Sequence, residues 1–174
     1  MELPLGTPYQ EHLKTTEVDM LKGITELMQK NFTGYIIVTI HGIDGMEEGA
    51  ILFRNGLIVG AGYEFMKHGV TIEGTNAFEI VLNAFKAKYG IIDIYSLSLQ
   101  HMDLVIAFHE KMLIKAKIDP KTLQKLYPKE FSDKYARAIV RQKEEQSKYE
   151  VFKKIGLPEM ISEHVSEQVQ EKTS

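Results

Sequence analysis

The chain has 174 residues, 44% hydrophobic and 26% charged, enough to bury the core of one globular domain with an appendage. It contains no cysteine, which excludes disulfides, thiolate-held zinc, iron–sulfur clusters and cysteine nucleophiles. The net charge of −3 conceals an asymmetry. Lys111 to Lys154 carries 13 Lys and Arg against 6 Asp and Glu, a local balance of +7, and the remainder carries −10. Such a layout speaks to partners, not to fold.

The opening "MELPLGTPYQEH" places acidic residues and prolines where a signal peptide needs a basic segment and an apolar stretch. No apolar run approaches the ~18 residues of a spanning helix. A soluble, cytoplasmic protein with no membrane contact is expected. Met1 to Thr15, with Pro4, Gly6 and Pro8, should be extended. Thr16 can cap a helix to about Lys30, with Val18, Leu21, Ile24, Leu27 and Met28 on one side and Asn31 as its stop. "GYIIVTI" (Gly34–Ile40) is rich in β-branched residues and predicts a strand, followed by a loop through "HGIDGME".

"EEGAILFRNGLIVGAGYE", from Glu47 to Glu64, predicts a hairpin. A two-residue type I′ turn needs positive φ at both central positions, and Asn55-Gly56 tolerates this best. That turn sets Arg54 opposite Leu57, Phe53 opposite Ile58, Leu52 opposite Val59 and Ile51 opposite Gly60. One face then carries Ile51, Phe53 and Ile58 with Gly60 and Gly62, and the other Ala50, Leu52, Val59 and Ala61. A ribbon apolar on both faces must be covered twice. The segments around Leu21–Met28 and Ile80–Phe85 are candidates for one face. The helix of Val105 and Phe108, or a second chain, is the candidate for the other.

"GTNAFEIVLNAFKAKYG" predicts a helix capped by Thr75 and ended by Gly90, and "IIDIYSL" a fourth strand. Ser98 opens a helix through Met112 in which Met102, Val105, Ile106, Phe108 and Met112 are candidates for burial. Asp119-Pro120 starts a short helix ended by Pro128. Ser132 to Ile155 reads as one long helix closed by Gly156 and Pro158, with "RQKEEQSK" in its middle lacking any apolar residue. The tail repeats Glu159, Glu163, Glu167 and Glu171 on one helical side, with Ile161, Val165 and Val169 opposite. Like charges at that spacing disfavour an isolated helix, so a frayed terminus is expected.

The fold class read from this order is α+β: an antiparallel β-meander with flanking helices, α-β-β-β-α-β-α, followed by a helical C-terminal extension. The divisions expected are residues 1–113, a basic helical extension over 114–157, and an acidic tail over 158–174.

Chemistry-bearing motifs are sparse. His101 and His109 lie eight residues apart on one predicted helix and point about 80° away from each other, unlike the i,i+4 pairs that hold metals. His41 with Asp44, Glu47 and Glu48 lacks the alternating oxygen ligands of a calcium loop. The glycines of "NGLIVGAGYE" sit inside a hairpin, no helix opens after them, and the chain has neither "GK[ST]" nor "GxSxG". Glu47 and Glu48 are neighbours in an extended segment and face opposite ways. No catalytic residue, metal or cofactor is expected.

The series "FTGYIIVTI", "EEGAILFRNGLIVGAGYE" and "GTNAFEIVLNAFKAKYGIIDIY" resembles the PATAN-like domains of prokaryotic signalling proteins. Together "ELPLGTP" and "LVIAFHEKML" resemble an uncharacterised archaeal family, catalogued as a domain of unknown function, over about Glu2 to Met112. The resemblance implies a non-enzymatic adaptor or regulatory module in an archaeal cytoplasm. Its motifs serve turns, at Gly34, Asn55 and Gly56, and carry over no catalytic residue. The function expected is therefore protein–protein interaction, with a protein partner that includes a second copy of the chain as one option. The alternative is association with nucleic acid through a basic stripe of Lys134, Arg137, Arg141 and Lys148 on the long helix; an enzyme with scattered residues is the minority reading.

Overall fold

The computed structural model describes residues 2–154. The acidic tail, with Glu159, Glu163, Glu167 and Glu171, and the helix stop at Gly156 lie outside these residues. Among the described residues, 2–136 belong to one compact unit and 137–154 to a second.

The fold is mixed α and β, built on a six-stranded antiparallel sheet in the order β1-β6-β2-β3-β4-β5. The strands are β1 (Thr7–Lys14), β2 (Gly34–Gly42), β3 (Gly45–Arg54), β4 (Leu57–Phe65), β5 (Val70–Glu73) and β6 (Gly90–Ser96). The helices are α1 (Met20–Gln29), α2 (Thr75–Ala84), α3 (Leu99–Phe108), α4 (Pro120–Leu126) and α5 (Lys134–Lys154). The central meander β2-β3-β4 follows the expected pattern, and the fourth strand expected, β6, returns beside β2. Strands β1 and β5 extend it at the two edges and were not expected. β1 has no apolar alternation and is exposed along almost its whole length. Its pairing with β6 shifts register twice, and the His12 amide, at φ 58°, donates to Asp93 Oδ1 at 2.7 Å. Irregular pairing and Pro8 blunt this edge against further strand addition.

Local chemistry starts and stops the helices, in places one step away from expectation. Asp19, not Thr16, caps α1 by accepting from the Lys22 amide. Asn31 follows the helix at φ 52°, as a stop residue should. Gly74 precedes α2 without a side-chain cap, so Thr75 is its first residue rather than its cap, and the helix ends at Ala84 instead of reaching Gly90. Ser98 caps α3 and accepts from the His101 amide, but the helix stops at Phe108, with a separate 3₁₀ turn over Glu110–Met112. Asp119 caps α4 with Pro120 in its first turn, and α5 is the long helix expected.

The hairpin turn is as expected. Asn55 has φ 50° and Gly56 φ 75°, while the Asn55 amide donates to Thr33 Oγ1 and that of Gly56 to the Phe32 carbonyl. Arg54 faces Leu57 and Phe53 faces Ile58, but the register then slips: Leu52 faces Gly60 and Ile51 faces Ala61. A bulge at Val59 causes the slip. The Val59 carbonyl accepts from the Ile114 amide at 3.0 Å, and Gly60 bridges to Leu113, so a segment far along the chain draws this point out of the ladder. Gly60 therefore lies on the face of Ala50 and Leu52, not that of Phe53, and Gly62, paired with Ala50, lies there too. A side chain on Gly60 would crowd Leu52 and the Met112 carbonyl.

Both faces of the ribbon are covered. On one, Ile36, Val38, Ile51, Phe53, Ile92 and Ile94 are buried, with α2 above them: a Cβ on Gly49 would come within 2.8 Å of Val81. Phe32, just past α1, meets Phe53 edge-on at 5.9 Å between ring centres. On the other, Tyr35 and Leu52 pack against Met102 and Val105 of α3 and against Met112. Leu3, Val59 and Ile106 surround this second cluster. The chain thus covers the second face with its own α3, one of the two covers expected, through Met102 and Val105 and not through Phe108.

Candidate interaction surface

The residues singled out in the sequence fall in two places. Asn55 and Gly56 form the hairpin turn, where they serve backbone geometry. Lys134, Arg137, Arg141 and Lys148 are all exposed on α5. Arg141 is bonded to Glu145 at 3.1 Å, and Lys134 lies over the Tyr135 ring at 4.7 Å. Tyr149 and Phe152 stand exposed on the same helix.

The main titratable cluster lies where β2, β3 and β4 end. Asp44, in the β2–β3 turn, is bonded to Lys67 and, at 2.5 Å, to His68 Nε2. Those hydrogen bonds hold its carboxyl below the usual range. Glu47 is buried and accepts from the Tyr63 hydroxyl at 2.7 Å. Burial pushes its carboxyl up and the Tyr63 phenol up with it. Glu48, next along β3, points to the other side of the sheet. Among the described residues, no group of three or more His, Asp or Glu is placed to hold a metal ion. The small space beside Asp44, Glu47 and His68 has no room for a substrate.

The raised Glu47 carboxyl makes a pH prediction. An acid whose folded pKa lies above its unfolded value costs stability as pH rises past that unfolded value. A Glu47→Gln variant, which stays neutral, should therefore gain on the parent as pH rises. Urea unfolding of both proteins at about pH 4 and about pH 8 measures this. A stability difference that does not change between those pH values would show that Glu47 ionises freely.

The larger opening is an apolar groove of about 510 Å³ between α3 and the N-terminal segment, lined by Glu2, Pro4, Leu5, His101, Leu104, Val105, Phe108 and His109. Two bonds fix that segment: the Tyr35 hydroxyl donates to the Pro4 carbonyl at 2.7 Å, and His109 Nε2 to the Glu2 carbonyl at 3.0 Å. Gly6 lies close against Tyr95 and Ser96, near the start of α3. The segment thus runs antiparallel to α3. Phe108 was expected in the core and is instead 81% exposed; beside it Leu104 is 55% and Leu5 93% exposed. The correction follows from helical geometry. Met102, Val105 and Ile106 take the inward side, and Leu104 and Phe108, four residues apart, form a ridge on the outward side. α3 is apolar nearly all round, a pattern that ordinarily accompanies burial on every side. That property was present in "LVIAF", but it could not tell which half faces out.

Among the described residues, no helix is long and apolar enough to cross a membrane. Neither a curated protein nor a solved structure gives a significant match to the chain. One family does match, over residues 1–109, and its reach takes in the meander, the N-terminal segment and α3. The chain belongs to that family, described as an uncharacterized protein conserved in archaea (DUF2226).

Proposed function

We propose that this protein is a non-enzymatic interaction module of the cytoplasm that binds another protein chain through the outer face of α3. The observation that carries this reading is the apolar groove with Leu5, Leu104 and Phe108 open beside it. Soluble proteins seldom leave large apolar side chains grouped in this way unless a partner covers them. Aromatic side chains set at the centre of such a patch are the usual energetic anchors of an interface. The likeness of the hairpin pattern to PATAN-like signalling domains, and the lack of cysteine, support the same reading.

A photo-reactive amino acid at position 108, introduced in cells, should give an adduct with a protein. The same group at Glu79, an exposed position on α2, should not. No adduct from position 108, or equal adducts from both, would overturn the reading.

The exposed basic residues and aromatic rings of α5 support a second, less favoured reading, contact with nucleic acid. Glu144, Glu145 and Glu150 interrupt the positive field. Titration with duplex and single-stranded nucleic acid is therefore expected to show only weak binding that disappears at moderate salt. Tight binding that persists there would reverse the ranking.

A further inference from the structure

We infer that His41, Met46 and Met66 form a binding site for a soft monovalent cation, copper(I) or silver(I), on the open end of the sheet. The site is separate from the α3 groove and stands whether or not that groove takes a protein. Register carries the argument. His41 of β2 is paired with Met46 of β3. The His41 amide donates to the Tyr89 carbonyl at 2.9 Å, away from β3. The two residues are therefore a pair without mutual backbone bonds, the kind that brings side chains closest, with Cα atoms about 4.5 Å apart. Across β3, Glu47 is paired with Phe65, so the next step sets Met46 beside Met66. Alternation fixes the side. Glu47 and Phe65 are buried, whereas Met46 and Met66 are each 43% exposed and His41 is exposed with them. Met46 thus has an imidazole on one flank and a thioether on the other, each about one strand spacing away.

A thioether is a neutral, polarisable donor that suits copper(I) and suits magnesium, calcium or manganese poorly. Without cysteine, methionine sulfur is the softest donor this chain possesses. Met20, Met102 and Met112 fill the core, the usual task of this side chain. Met46 and Met66 stand outside it, and their flexible side chains can turn toward a shared ion with no loss of packing. The harder donors close by are engaged: Asp44, two residues before Met46, is bonded to both Lys67 and His68. Among the described residues no group of three or more His, Asp or Glu is placed to hold an ion, so zinc finds no set of its own. Charge favours a cation at this place. Glu48 and Glu64 are paired across β3 and β4, two positions along from Met46 and Met66 and on the same side. Like charges set opposite each other repel, and a cation nearby relieves the repulsion.

The test is a titration of the full chain with silver(I) nitrate in chloride-free buffer, followed through the methionine methyl and histidine ring signals in NMR. One equivalent should shift Met46, Met66 and His41 together and saturate all three. Copper(I), kept reduced by ascorbate under nitrogen, should reproduce the pattern, and zinc(II) should leave the two methyl signals in place. Met46→Leu should abolish the one-equivalent site, and Met66→Leu or His41→Gln should weaken it. None of these changes should move the melting temperature, because the side chains are exposed. Silver that shifts one of the three residues without the others would overturn the inference. So would a Met46→Leu chain that binds silver as the parent does, or a zinc-induced shift of both methyl signals.

Discussion

Replacing Phe53 by alanine should lower the stability of the fold by about 3–5 kcal/mol, the cost of removing a large aromatic side chain from a closed core. Phe53 is fully buried in β3 and meets Phe32 edge to face. Its neighbours across the strands are Gly34 on β2 and Ile58 on β4. Gly34 has no side chain to move into the space, and its backbone is already crowded by Tyr95 and Phe32. The cavity should therefore persist instead of collapsing, which places the cost toward the upper end of that range. Chemical denaturation with an unchanged slope measures it. An exposed aromatic would cost less than about 1 kcal/mol, and that result would mean that the first face of the ribbon is not covered as described.

Gly56→Val should be the second most damaging single change, at about 2 kcal/mol or more. Two causes act together. Gly56 sits at φ 75°, where a β-branched residue is strained, and any Cβ there would run into the Met28 carbonyl at the end of α1. The turn is thus pressed against a helix end as well as wound tightly. Gly56→Ala should cost nearly as much as Gly56→Val, because the first carbon makes the clash. Asn55→Gly should stay within about 1 kcal/mol of the parent, since glycine accepts the same positive φ. An alanine variant as stable as the parent would show that α1 does not press on the turn. A Gly56→Val protein that kept its stability but lost a partner would make the turn a recognition element.

The parts of the fold visible in the sequence are those fixed by adjacent residues. Asn55-Gly56 announces its turn, Asp119-Pro120 its helix start and Ser98 its cap, because each works on backbone groups within a few positions. β1 and β5 were not visible, because nothing in "TPYQEHLK" or "VTIE" alternates strongly and β6 and β4 supply the pairing. The bulge at Val59 was invisible for a similar reason: its cause is Ile114, more than fifty residues on. In α3 the difficulty was different. When a helix is apolar nearly all round, periodicity assigns no inner face, so Phe108 and Val105 looked equally suited to the core. Only the position of the sheet separates them, and that separation created the candidate site.

The measurement closest to the central claim is amide hydrogen exchange on the full chain, followed by fragment, alone and with the protein that position 108 captures. Protection should grow over residues 2–6 and 99–108 together, where the groove lies, and not over the exposed edge strand Thr7–Lys14. Exchange over α3 that the captured protein leaves unchanged, or protection that grows first along that edge strand, would contradict the outer face of α3 as the surface through which this protein meets its partner.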